Sequence, residues 1–217
     1  SGDTRHSATG IMFRICLDDD CHDLEECGAC ERNALIICFL INALMFVVEL
    51  YFGLLSHSAS LLGDSAHNIG DALILLGSLF VMGSTMRVKA KVALLKSVIM
   101  LVFGMLALWY VVQNMMTGYV PSATPITLVG IFVLIGNVAS AVLLLYYKNK
   151  DINLKSAYIC CRNDAISSVG IIIAGLLVGL TQSNIPDVVI GGGIGLLICY
   201  SAVRIFKESM DVNRTQS

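Results

Sequence analysis

Six stretches of the chain are almost wholly apolar, and short polar connections separate them. This pattern predicts membrane-spanning helices over 33–55, 59–84, 93–117, 124–147, 155–180 and 186–207. Each stretch is long enough, since roughly 20 residues at about 1.5 Å rise cross about 30 Å of hydrocarbon. The expected fold class is all-α: a polytopic membrane protein built as a six-helix transmembrane bundle. Residues 1–32 read as a polar, acidic segment containing Cys and His, 33–209 as the membrane domain, and 210–217 as a short tail. No second folded domain is expected after the sixth span.

Composition fits this reading. The 217 residues are 56% hydrophobic and only 14% charged, and mean hydropathy is +0.79, values that belong to membrane proteins rather than soluble domains. A net charge of -2 gives no sign of nucleic-acid binding. The first apolar run has no n-region and cleavage site around it, so it reads as a retained span. Basic residues set the expected orientation. Arg87, Lys89, Lys91 and Lys96 flank the second connection, Lys148, Lys150 and Lys155 the fourth, and Arg204, Lys207 and Arg214 follow span six. The connections at 55–59, 118–124 and 181–186 hold no Lys or Arg. The positive-inside rule then puts both termini in the cytoplasm. No cysteine falls in a connection predicted to lie outside, which argues against a secreted-type disulfide framework.

One stretch stands out inside the second span. Asp64, His67 and Asp71 are spaced i, i+3, i+7 and share a helix face. Ionisable groups in hydrocarbon cost about 2.5–3.5 kcal/mol each on insertion scales, so such a face points to function, most simply a cation site. Span five holds a matching pair, Cys160 and Asp164, again one turn apart. Two antiparallel helices, each presenting an i, i+4 pair, can build a four-coordinate site from His67, Asp71, Cys160 and Asp164. One imidazole, two carboxylates and a thiolate suit Zn²⁺, and the sulfur also favours Cd²⁺. Mg²⁺ and Ca²⁺ prefer all-oxygen cages. Other readings stand beside this one. The His and Asp residues could form a buried polar network, and Cys160 could simply pack, with Asn163 replacing it as an oxygen donor. Asp64 is an accessory ligand, a proton relay or a structural group. Arg162, about 200° around the helix from Cys160, faces away. Gly170, Gly175 and Gly179 are set to interrupt span five, and the small pair Gly191 and Gly195 opens span six. These glycines serve close packing, or sliding between two states.

The run Ser60-Leu61-Leu62-Gly63-Asp64-Ser65-Ala66-His67-Asn68-Ile69-Gly70-Asp71 resembles the second span of the cation diffusion facilitator family of divalent-metal/proton antiporters. In span five, Asp164 and Ser167-Ser168-Val169-Gly170 match the family pattern, while Cys160 stands where His is usual. Glu49 and Asp187 also sit where the family tends to have acids. The resemblance covers about 33–209. It implies export of divalent metal ions through the site between spans two and five, coupled to protons, in a homodimer. Most members carry a cytoplasmic domain after span six. The chain looks like the bacterial subgroup that ends before it, which implies an inner (plasma) membrane location and a dimer held by transmembrane or N-terminal contacts. Metal needs deprotonated ligands, so binding releases protons. An imidazole with an ordinary pKa of about 6.5 suits proton exchange.

The N-terminal segment offers a second metal candidate. Cys16, Cys21, His22, Cys27 and Cys30 run C-x4-C-H-x4-C-x2-C. The donors suit a tetrahedral Zn²⁺ site, structural or metal-gathering, although the spacing is not that of a standard finger. A plain tail is the other reading. The lead expectation is therefore a Zn²⁺ exporter, with Cd²⁺ as a second cargo, and not an enzyme. One alternative is the same mechanism for Fe²⁺, Co²⁺ or Ni²⁺. Another is a membrane-anchored metal sensor or chaperone acting through the Cys-rich segment. A thiol oxidoreductase using Cys27/Cys30 and Cys160/Cys161 is the weakest.

Overall fold

A helix satisfies its own backbone hydrogen bonds, which is why long apolar runs cross hydrocarbon as helices. The computed structural model of the protein describes the backbone of residues 24–81, 86–147 and 152–215, and the side chains of 32–77, 91–147, 155 and 157–210. All regular structure among the described residues is helical. The helices are α1 (Leu24–Ser56), α2 (Ala59–Val81), α3 (Met86–Thr117), α4 (Ala123–Leu145), α5 (Ile152–Thr181) and α6 (Ile185–Thr215). The expected N-terminal metal site (Cys16, Cys21, His22, Cys27, Cys30) lies outside the described side chains. So do the side chains of Arg87, Lys89, Lys148, Lys150 and Arg214.

Polar and apolar residues are arranged for a membrane. Leu40, Leu44, Trp109, Leu128, Ile135, Ile166, Leu196 and Tyr200 are exposed, whereas Asn42, Glu49, Asp64, Asn68, Asp71, Asn137, Asp164 and Asp187 are buried. Lipid tails exert no hydrophobic drive between helices, so polar contacts and close packing hold such a bundle together.

The six helices are not equivalent spans. Among the described residues, α1, α3, α4, α5 and α6 are long and apolar enough to cross a membrane, and α2 is not among them. Asp64, His67, Asn68 and Asp71 interrupt the apolar stretch of α2. It tolerates them because it packs against α1, α3, α5 and α6, so that protein rather than lipid surrounds most of it.

Side-chain register shows how α2 is held. Gly53 lies against Leu62, and Gly70 against Met100, so α1 and α3 run antiparallel to it. Its first turn is capped by another helix. Asp187 Oδ1 accepts from Ser58 Oγ at 2.6 Å, Ser60 Oγ at 2.5 Å and Ser60 N at 3.1 Å, and Oδ2 accepts from Ala59 N at 2.8 Å. These N–H groups have no acceptor within their own helix, and a carboxylate there also meets the positive end of the helix dipole.

The glycines divide by role. Gly191 sits so close that an added Cβ would overlap the Ala59 backbone, whereas Gly195 lies against Leu108 of α3. The two therefore serve different neighbours rather than one groove. The expected interruption of α5 does not occur: the helix runs unbroken through Gly170, Gly175 and Gly179. Gly175 and Gly179 instead let α4 approach at Thr127 and Ala123. Pro125 and Pro186 fall in the first turns of α4 and α6, where the missing N–H is harmless.

Gly191→Ala should destabilise the bundle by about 1–3 kcal/mol through overpacking at the α2 cap. Gly193→Ala, which meets open space, should stay within about 0.5 kcal/mol of the parent. Thermal unfolding of both variants in detergent checks this, and equal behaviour would contradict the close α2–α6 approach.

Candidate metal centre

Two helical pairs meet across the α2–α5 contact. His67 Nε2 pairs with Asp164 Oδ1 at 2.6 Å, and Cys160 Sγ–H donates to Asp71 Oδ2 at 2.9 Å. The antiparallel register makes both contacts at once, because each helix presents its donors one turn apart. His67 Nε2 also lies 3.7 Å from Asp71 Oδ2. One ligand atom from each of His67, Asp71, Cys160 and Asp164 lies within 4.8 Å of every other.

The four are not equally enclosed. The side chains of Asp71 and Asp164 are 8% and 4% exposed, whereas that of His67 is 31% exposed. The centre is therefore closed on its carboxylate side and open on its imidazole side. Asp164 Oδ2 has no hydrogen-bond partner among the described residues, which leaves an oxygen lone pair free to bind an ion. Behind Asp164, Ser168 Oγ donates to its backbone carbonyl at 2.8 Å, and Asn137 Nδ2 donates to Ser168 Oγ at 3.2 Å. These bonds fix the helix turn that carries the carboxylate.

The other residues singled out from sequence lie elsewhere. Asp64 is buried one turn further along α2, against Glu49 of α1. Asn163 is exposed, and its Oδ1 accepts from Arg162 at 3.4 Å. Arg162 is also exposed, turned away from the centre. Cys161 does not share the surroundings of Cys160; it packs with Cys38, Leu75, Leu144 and Tyr147 in an apolar cluster.

Two residues were undervalued by sequence reasoning. Lys96 was counted among the basic flanks of a connection, but it lies within α3, is 8% exposed, and is near enough to interact with Asp71 and Cys160. The signal was present, since Lys96 falls inside the apolar run 93–117 rather than before it. Asn68, one residue from His67, is buried and donates to Glu49 Oε2 at 2.6 Å. Its place in the Asp64–Asp71 stretch could have marked it.

No curated protein matches the chain. The sequence model of the cation efflux transmembrane domain matches residues 35–212. That match takes in α2 and α5, with the four clustered donors, and most of the other four helices. The chain therefore belongs to the cation efflux, or cation diffusion facilitator, family, whose members move metal cations across membranes.

Proposed function

We propose that the protein exports Zn²⁺ by exchange for protons, through a tetrahedral site formed by His67, Asp71, Cys160 and Asp164, with Cd²⁺ as a second cargo. The observation that carries this reading is the convergence of four suitable donors from two helices to within 4.8 Å. Zn–ligand bonds of about 2.0–2.3 Å put tetrahedral donors roughly 3.3–3.8 Å apart. The separation of 3.7 Å falls in that range and those of 2.6 and 2.9 Å fall below it, so small side-chain shifts suffice to close on an ion.

Proton exchange follows from what the ion must displace. Bound metal requires a Cys160 thiolate, a neutral His67 nitrogen and two carboxylates. Without metal, the short His67–Asp164 and Cys160–Asp71 contacts are bridged by hydrogens. Metal and protons therefore compete for the same atoms, and a site that alternates between the two faces couples their gradients. The thiol favours Zn²⁺ and Cd²⁺ over harder ions.

The reading takes a bacterial inner membrane from the family resemblance, and cytoplasmic termini from the positive-inside pattern of the sequence. The family resemblance extends the reading to a homodimer through transmembrane or N-terminal contacts. In the same reading, Cys16, Cys21, His22, Cys27 and Cys30 gather metal on the cytoplasmic side.

Asp71→Asn and Asp164→Asn should each reduce metal-dependent proton flux in proteoliposomes to the level of protein-free vesicles. Parent-like flux in either variant would remove that residue from the site. Cys160→Ser should lower transport of Cd²⁺ more than that of Zn²⁺, since it replaces a soft donor with a hard one. Competition between the two metals in the same assay reads this, and an unchanged preference would show that the sulfur is not a ligand.

A further inference from the structure

One turn from the metal centre, two more acids meet in the interior. Glu49 of α1 is 0% exposed and Asp64 of α2 is 1% exposed. The two carboxyl groups are close enough to interact directly, Glu49 from α1 beside Asp64 on α2. Asn68, 1% exposed, donates from Nδ2 to Glu49 Oε2 at 2.6 Å. Glu49 Oε1, Asp64 Oδ2 and Asn68 Oδ1 receive no N–H or O–H from the described residues. Among the described residues, no Lys or Arg forms an ion pair with either acid. The titratable groups that act on it are His67 and Asp71 from α2 and Asp164 from α5.

Two ionised carboxylates side by side have no hydrogen to give each other. Burying both charges in contact, without a cation, would combine desolvation with like-charge repulsion. One hydrogen between them removes both problems, as in paired acids that share a single proton. We infer that Glu49 and Asp64 share one proton, and that this pair is a proton-binding site, separate from the four metal ligands, whose proton is among those exchanged for the ion.

The first part stands on the burial and closeness of the two acids; the second rests on the proton-exchange reading above. Asp64 and His67 are three residues apart and neighbours on one face of α2. A divalent ion arriving at His67 and Asp71 brings positive charge close to the pair. The neutral carboxyl then releases its hydrogen as H⁺, leaving two carboxylates held by the ion's field and by the Asn68 amide. When the ion leaves, the pair takes a proton back. Glu49 thereby makes metal binding release one proton more than the ligands alone account for.

Infrared difference spectroscopy of the full chain in lipid, with Zn²⁺ as the probe, tests this. The metal-free parent should show a carboxylic-acid C=O stretch that Zn²⁺ removes and that is missing from both Glu49→Gln and Asp64→Asn. In weak buffer, Glu49→Gln should release one proton fewer per Zn²⁺ bound than the parent. Absence of the stretch from the parent, or its survival in both variants, overturns the shared proton. Loss of Zn²⁺ binding by folded Glu49→Gln also overturns the proposal, because Glu49 would then belong to the metal site. A stretch that Zn²⁺ leaves unchanged, while the parent still releases protons on binding, overturns the coupling of the pair alone. No proton release from the parent at all overturns the exchange reading with it.

Discussion

The rest of the structure depends on the cost of placing charge in hydrocarbon. α2 carries Asp64, His67, Asn68 and Asp71 on little more than two turns, too polar a load for a lipid-facing helix. The fold answers by surrounding α2 with α1, α3, α5 and α6 and turning the apolar faces of those helices outward. Asp187, reaching from α6 to the first N–H groups of α2, fixes one end of the enclosed helix. Gly191 allows the backbones to come close enough for that contact.

Enclosure leaves the polar side chains of α2 only one another and their neighbours as partners. Three of the acids accordingly meet a group that can supply a hydrogen. Asp164 meets His67, Asp71 meets the Cys160 thiol, and Glu49 meets the Asn68 amide. The result is two layers about one turn apart along α2, one with a nitrogen and a sulfur donor and the other with oxygens and an amide. The softer layer suits a transition-metal ion and the harder layer suits a proton. Lys96 adds a buried amine near the first layer.

Much of this was legible in the residue pattern. Hydropathy marks the helices, and the i, i+4 spacing of His67/Asp71 and Cys160/Asp164 marks the pairs, because both are properties of a single helix. What depends on how helices turn toward one another was not legible. Glu49 reads as an isolated acid until α1 is packed against α2. Lys96 reads as a loop flank until α3 buries it. Asn163 stands in the sequence as a replacement donor for Cys160, yet rotation of α5 exposes Asn163 and turns Cys160 toward Asp71. Gly175 and Gly179 look like helix breaks because glycine is flexible, whereas in the bundle their small size admits α4.

The central claim is that the ion is held between α2 and α5 by these four side chains. Anomalous diffraction from crystals of the protein loaded with Zn²⁺, recorded on both sides of the zinc absorption edge, tests it most directly. The account predicts an anomalous peak within bonding distance, about 2.0–2.3 Å, of His67, Asp71, Cys160 and Asp164. A protein that transports Zn²⁺ but whose transmembrane zinc peak lies away from these four residues would contradict it.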